Sequence, residues 1–106
     1  MLFRSAFALM LTEPQPAPAY QGEVSDADAL AIVESRCASC HSANPTDATI
    51  KVAPKGIALD SIDELRRYAA QIEVQAVRNR AMPLGNKTGM VDEERAKLGA
   101  WISRLP

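Results

Sequence analysis

Histidine, cysteine and aromatic side chains are scarce in this 106-residue chain: one His, two Cys, one Trp, two Tyr and two Phe. A structural zinc site built from cysteines, or from cysteines and histidines, needs four ligands, and only three candidates exist. A disulfide between Cys37 and Cys40 would close a very small loop and stabilise little. Neither sign of charge dominates. The balance of 12 Lys+Arg against 13 Asp+Glu leaves a net −1, which argues against a nucleic-acid binder or a protein held on anionic lipid by charge alone. Long apolar runs are missing too, since Ala6-Phe7-Ala8-Leu9-Met10-Leu11 is too short to span a bilayer by itself. No stretch alternates apolar and polar residues as a half-buried strand does. Large apolar groups are few: the 47% hydrophobic content includes 18 alanines, which places the chain near the lower limit of a self-sufficient core. Something besides side chains is expected to complete that core.

Residues 1–22 read as a leader and linker, and residues 23–106 as a single domain. Arg4, the Ala6–Leu11 run and Ala17-Pro18-Ala19 follow the order of a secretory signal. The end of a transmembrane helix from a longer chain and a leader with no targeting role are the other readings. The Pro-rich stretch Glu13 to Ala19 makes an extended, semi-rigid tether. Within the domain, Ser25-Asp26-Ala27-Asp28 is a capping box, and Leu30, Val33 and Cys37 follow at helical spacing, which predicts a helix over 26–38. Ser61-Ile62-Asp63-Glu64 is a second capping box and opens a helix carrying Leu65, Tyr68, Ala69, Ile72, Ala76 and Val77, ending before Met82-Pro83. A last helix begins near Asp92 and carries Leu98, Trp101, Ile102 and Leu105 on one side. Trp101 is expected to cross the first helix at Ala29 and Val33. The class is all-α: three main helices joined by long loops over 42–60 and around 84–89.

Both cysteines and the histidine fall in Cys37-Ala38-Ser39-Cys40-His41. Cys-x-x-Cys-His is the attachment signature of c-type haem. The two thiols add across the porphyrin's vinyl groups, the two-residue spacer sets their separation, and the adjacent histidine offers a nitrogen to iron. A thioredoxin-like dithiol follows a strand in a βαβ setting, and no strand pattern precedes Cys37. One covalent haem c held by Cys37 and Cys40, with His41 as an axial ligand, is therefore the favoured reading, and thiol redox chemistry is its rival.

An electron-transfer haem generally closes both axial positions, and methionine opposite histidine raises the potential. Met1 and Met10 lie in the leader, leaving Met82 and Met90. Met82 precedes Pro83, and a residue before proline is extended, which holds the thioether out from the backbone. Met90, at the mouth of the last helix, reads as a core filler. A vacant or exchangeable sixth position is the third possibility. A ligating histidine also donates its other ring N–H to a carbonyl, for which Pro54 is the candidate. Arg78 and Arg80 read as solvating a helix end, with a haem propionate as the alternative partner.

As a set, the helix entering Cys37–His41, the Met82-Pro83 loop and a C-terminal helix with Leu98 and Trp101 resemble a class I cytochrome c over about residues 24–106. The resemblance implies a small cytochrome c fold around one covalent haem, with thioethers at Cys37 and Cys40 and axial ligands at His41 and Met82. A narrower likeness rests on Cys40-His41-Ser42-Ala43-Asn44-Pro45-Thr46, Ala53-Pro54-Lys55-Gly56, Gln75-Ala76-Val77 and Met82-Pro83-Leu84-Gly85-Asn86-Lys87-Thr88-Gly89-Met90. These are similar to the C-terminal cytochrome domain of bacterial membrane-bound urate hydroxylases, which follows a transmembrane catalytic part and passes on electrons taken from urate. These 106 residues hold no counterpart of that catalytic part, so what carries over is electron transfer and not urate chemistry. That implies an electron carrier with no substrate bond of its own to break, facing the periplasm. Its partners would be redox proteins: a membrane-bound oxidase or dehydrogenase and a downstream acceptor. A free-standing exported cytochrome and an open-site haem sensor or enzyme are the alternatives. Val91 departs from the pattern, standing where related sequences place a capping Thr or Ser, so the last helix is expected to be less well capped.

Overall fold

In the computed structural model, which describes residues 19–106, the regular elements are helical and no strand forms among the described residues. The leader expected over residues 1–22 lies outside the described residues as far as Pro18. Helix α1 spans Asp26–Arg36. Ser25 Oγ accepts the Asp28 N–H at 3.0 Å and an Asp28 carboxylate oxygen accepts the Ser25 N–H at 3.1 Å, so this capping box closes in both directions. The helix stops two residues short of the predicted 38. Both the Cys37 and the Ala38 N–H turn onto the Val33 carbonyl, at 2.8 and 3.0 Å, and the chain tightens into the turn that carries the motif.

The second predicted helix is not one rod. Helix α2 (Ile62–Arg67), helix α3 (Ala69–Ile72) and a π-helical segment (Glu73–Arg78) follow one another, with Tyr68 out of helical geometry at φ −103°, ψ 17°. The hydrogen-bond ladder crosses the break, from Tyr68 N–H to Glu64 O and from Ile72 N–H to Tyr68 O, both at 3.0 Å. At the start of α2, Ser61 Oγ accepts the Glu64 N–H at 3.2 Å, as a capping box requires. Glu64 Oε1, however, accepts the Asp60 N–H at 2.8 Å, one residue upstream of the predicted return bond. The run ends at Arg78, and its last free carbonyls find unlike partners. Val74 O accepts from Asn79 N–H at 2.9 Å, Gln75 O from Met82 N–H at 2.9 Å, and Ala76 O from Arg95 Nη1 at 2.6 Å. Arg80 follows in the left-handed region at φ 58° and turns the chain toward Met82.

Helix α4 spans Asp92–Ser103 and begins where the sequence predicts. Val91 supplies no side-chain acceptor, and the Glu94 carboxylate takes the Val91 N–H at 3.0 Å, so half of a capping box is present. Gly99 faces the π segment. A Cβ there would meet Val77 Cγ1 at 3.0 Å, so the missing side chain is what lets the two helices approach. One buried cluster joins Val33, Leu65, Ile72, Leu98 and Trp101, drawing on α1 through α4. Trp101 shares that cluster with Ala29 and Val33, and its indole N–H donates to Asp26 Oδ1 at 2.9 Å. Tyr20 and Gly22, on the leader side of the expected boundary, also contact α4 and the residue that follows it. Lys97 Nζ lies 5.4 Å from the Tyr20 ring centroid, and Arg104 donates to Gly22 O at 2.7 Å. Among the described residues no helix is long and apolar enough to cross a membrane.

Candidate functional site

Cys37 to His41 form a turn that continues α1 without being helix. Cys37 O accepts both the Cys40 N–H at 3.2 Å and the His41 N–H at 2.9 Å. The following loop folds back on this turn, because Ser39 O accepts the Thr46 and Asp47 N–H groups at 2.9 Å each. His41 is held at three points: by its N–H, by its carbonyl, which accepts the Leu59 N–H at 2.9 Å, and by its ring. Ring Nδ1 lies 2.9 Å from Ile57 O. A carbonyl only accepts, so Nδ1 carries the proton and the lone pair of the neutral ring sits on Nε2.

That bond corrects the expectation for Pro54. Its carbonyl accepts the Ile57 N–H at 3.0 Å and closes a tight four-residue turn from Pro54 to Ile57. The carbonyl presented to His41 is that of Ile57, three residues later. Lys55 and Gly56, at φ 57° and 71°, both adopt the left-handed backbone of this turn.

Cys37 and Cys40 are unpaired and half-buried. Cys37 packs on the core cluster, and burial pushes its thiol up to about 11, with the Arg95 charge pulling down and Glu94 pushing up. Among the described residues no three His, Cys, Asp or Glu side chains gather into a metal-holding group. An open cleft of about 460 Å³ is lined by Glu23, Val24, Ser25, Asp28 and Arg104, and it shares no residue with the motif.

Met82 stands in the loop between the π segment and α4, joined by a cis peptide to Pro83, and is half-buried. Its N–H donates to Gln75 O at 2.9 Å and its carbonyl accepts from Arg95 Nη1 at 2.8 Å. Met90, at 3% exposure, belongs to the core cluster. Asn86 flanks it, with Oδ1 accepting the Met90 N–H at 2.9 Å and Nδ2 donating to Met90 O at 3.1 Å. Asn86 itself sits at φ 49°, a conformation asparagine tolerates better than most residues.

Two straps tie this loop to the motif side of the molecule. Lys87 Nζ meets Asp47 Oδ1 at 2.6 Å, and the Asp47 side chain is only 6% exposed. Asp47 Oδ2 also accepts from Thr49 N–H, Thr49 Oγ1 and Ile50 N–H, each at 3.0 Å. The Lys87 ammonium, then these donors, hold the Asp47 carboxyl well below the usual carboxylate range, and Asp47 raises Lys87 in return. The second strap joins the end of α1. Thr88 Oγ1 donates to Arg36 O at 2.8 Å, while the Arg36 guanidinium reaches Thr88 O and, at 3.0 Å, the Glu94 carboxylate.

Arg78 and Arg80 make surface ion pairs, to Glu73 at 2.9 Å and to Asp92 at 3.3 Å, in line with a solvated helix end. Sequence reasoning missed Arg95, Asp47 and the Ile57 carbonyl. A signal existed for Arg95, since it lies three residues before Leu98 on the apolar side of α4, where a charge is out of place. Asp47-Ala48-Thr49 also has the composition of an Asx turn. Comparison of the chain with protein-family models, with curated proteins and with solved structures gives no match.

Proposed function

We propose that this chain is a c-type cytochrome of the small class I fold, a one-electron carrier that holds one covalent haem at Cys37 and Cys40. The observation that carries the reading is the anchored histidine: with Nδ1 committed to Ile57 O, the free lone pair of His41 is at Nε2, directly after a pair of unpaired thiols at the attachment spacing. The donor set fits the group. Cys37 and Cys40 would hold the group through thioethers, each S–H adding across a vinyl C=C with sulfur on one carbon and hydrogen on the other, so no oxidant would be needed. A half-buried Cys37 whose thiol is pushed up by its surroundings is present as the thiol that this addition consumes. It suits thiol–disulfide exchange poorly, since exchange needs a lowered thiol pKa, and the dithiol reading loses weight accordingly.

His41 would supply a nitrogen ligand and Met82 a sulfur ligand to the haem iron. Met82 is favoured over Met90 because Met90 is buried in the core cluster while Met82 stands half-buried in the loop that Asp47–Lys87 joins to the motif side. The haem, when bound, supplies the redox couple between ferric and ferrous iron. The protein would contribute the ligands, fix the histidine tautomer and tie the two loops together through Asp47–Lys87. The chain breaks no substrate bond in this scheme. Its partners are redox proteins, a membrane-bound dehydrogenase or oxidase and a downstream acceptor, on the periplasmic side. A urate-oxidising system is the specific setting suggested by the sequence likeness over residues 40–90.

The test is absorption of the protein made with the haem-attachment machinery. After dithionite reduction it should show a sharp c-type α-band that survives acid–acetone extraction. Haem that washes out, or a Cys37→Ser, Cys40→Ser variant that retains it, overturns the proposal.

A further inference from the structure

A guanidinium buried in a protein interior is costly to keep there unless its donors are satisfied. Arg95 on α4 is 4% exposed. Its hydrogen bonds go to backbone and amide oxygens and not to a carboxylate: Nη1 to Ala76 O at 2.6 Å and Met82 O at 2.8 Å, Nη2 to Asn86 Oδ1 at 3.5 Å. All three acceptors belong to the stretch on which Met82 stands. Ala76 lies in the π segment before it, and Asn86 lies in the turn after it. One rigid fork therefore spans the loop from both ends. The Met82 N–H is tied independently to Gln75 O at 2.9 Å. With N–H and C=O both fixed, by the π segment and by α4 respectively, the Met82 backbone is held in place, and with it the direction in which its side chain leaves.

Resting on the reading of Met82 as an iron ligand, we infer that Arg95 is a positioning residue for that ligand, its guanidinium holding the Met82 carbonyl so that the thioether stays directed at the iron. Arginine is needed because the bonds diverge. A lysine ammonium retains the charge but cannot span Ala76 O, Met82 O and Asn86 Oδ1 in one planar fork. Loss of a hydrogen bond from a charged donor shifts the equilibrium between bound and released Met82 by about tenfold or more.

The experiment uses the full chain with haem attached, as wild type, Met82→Ala, Arg95→Gln and Arg95→Lys. Two quantities are read: the far-red sulfur-to-ferric-iron charge-transfer band, and the imidazole concentration that displaces the sixth ligand. Wild type should show the band and Met82→Ala should lack it. Arg95→Gln should keep the c-type α-band while imidazole binds about tenfold more tightly than to wild type, because apparent affinity scales with the fraction of iron already open. Arg95→Lys should fall between the two, and it decides the matter if Arg95→Gln does not fold. Arg95 variants that melt earlier yet keep the wild-type band and imidazole affinity would show a merely structural role and overturn the inference. A wild-type protein lacking the band, with a spectrum unchanged in Met82→Ala, instead removes Met82 as ligand, and this inference falls with it.

Discussion

Replacing Trp101 by phenylalanine tests how α1 and α4 are locked together. Trp101 is 4% exposed and donates from its indole N–H to Asp26 Oδ1 at 2.9 Å. Asp26 is 52% exposed and also meets Arg66 at 2.7 Å, so losing the indole leaves no buried orphan charge. The hydrogen-bond loss therefore sits at the low end, about 1 kcal/mol. Phenylalanine also fills less of the site, and the unfilled volume beside Leu98 and Val33 adds about 1–2 kcal/mol. The sum, about 2–3 kcal/mol, corresponds to a fall in melting temperature of roughly 10–20 °C for a domain this size. The assay is thermal and denaturant unfolding of the full chain as a double-mutant cycle with Asp26→Ala, which removes the acceptor. Within the cycle, the loss of the Arg66 pair cancels, and a coupling of about 1 kcal/mol is expected between Trp101 and Asp26. Coupling within about 0.3 kcal/mol of zero would mean that the indole–carboxylate bond contributes nothing. A total loss below about 0.5 kcal/mol, as for an ordinary surface change, would refute the packing argument as well.

Two further outcomes are expected. Under the proposed haem reading, Met82→Ala should open the ferrous iron to carbon monoxide and the ferric iron to imidazole, and binding unchanged from wild type would reject Met82 as ligand. The Asp47–Lys87 strap should impose two pH limits. Asp47 is held below its unfolded value, so the folded state binds fewer protons there, and its contribution is whole at neutral pH and withdrawn as pH falls below about 4. Lys87 is raised, so its contribution is whole at neutral pH and withdrawn above about pH 10. Unfolding curves of Asp47→Asn should therefore lie furthest below wild type near neutrality and converge with it in acid. A gap that stays constant from pH 7 to pH 3 would contradict this.

Legibility in the sequence followed the range of each interaction. The helical class, the capping box at Ser25 and the start of α4 at Asp92 were readable because capping and apolar spacing act within a few residues. The π segment was not, because it is packed by Gly99 letting α4 approach Val77 and by Arg95 reaching Ala76 O. Pro54 illustrates the boundary. The sequence located the loop that holds the histidine, but which carbonyl turns inward was decided by a turn closing from Pro54 O to Ile57 N–H.

What the sequence determined by itself is the chemistry that is local along the chain: two thiols and an imidazole within five residues, Cys37 to His41, and the helix starts that bracket them. What only the tertiary structure decided is how those groups are held. His41 is oriented by a carbonyl 16 residues away. The backbone of Met82 is held by a guanidinium 13 residues on, and its loop is strapped to the motif side by Asp47 and Lys87. The physical reason is that a side chain's type is inherited from the sequence, whereas its tautomer, its direction and its distance from water depend on partners that only folding brings within hydrogen-bond reach.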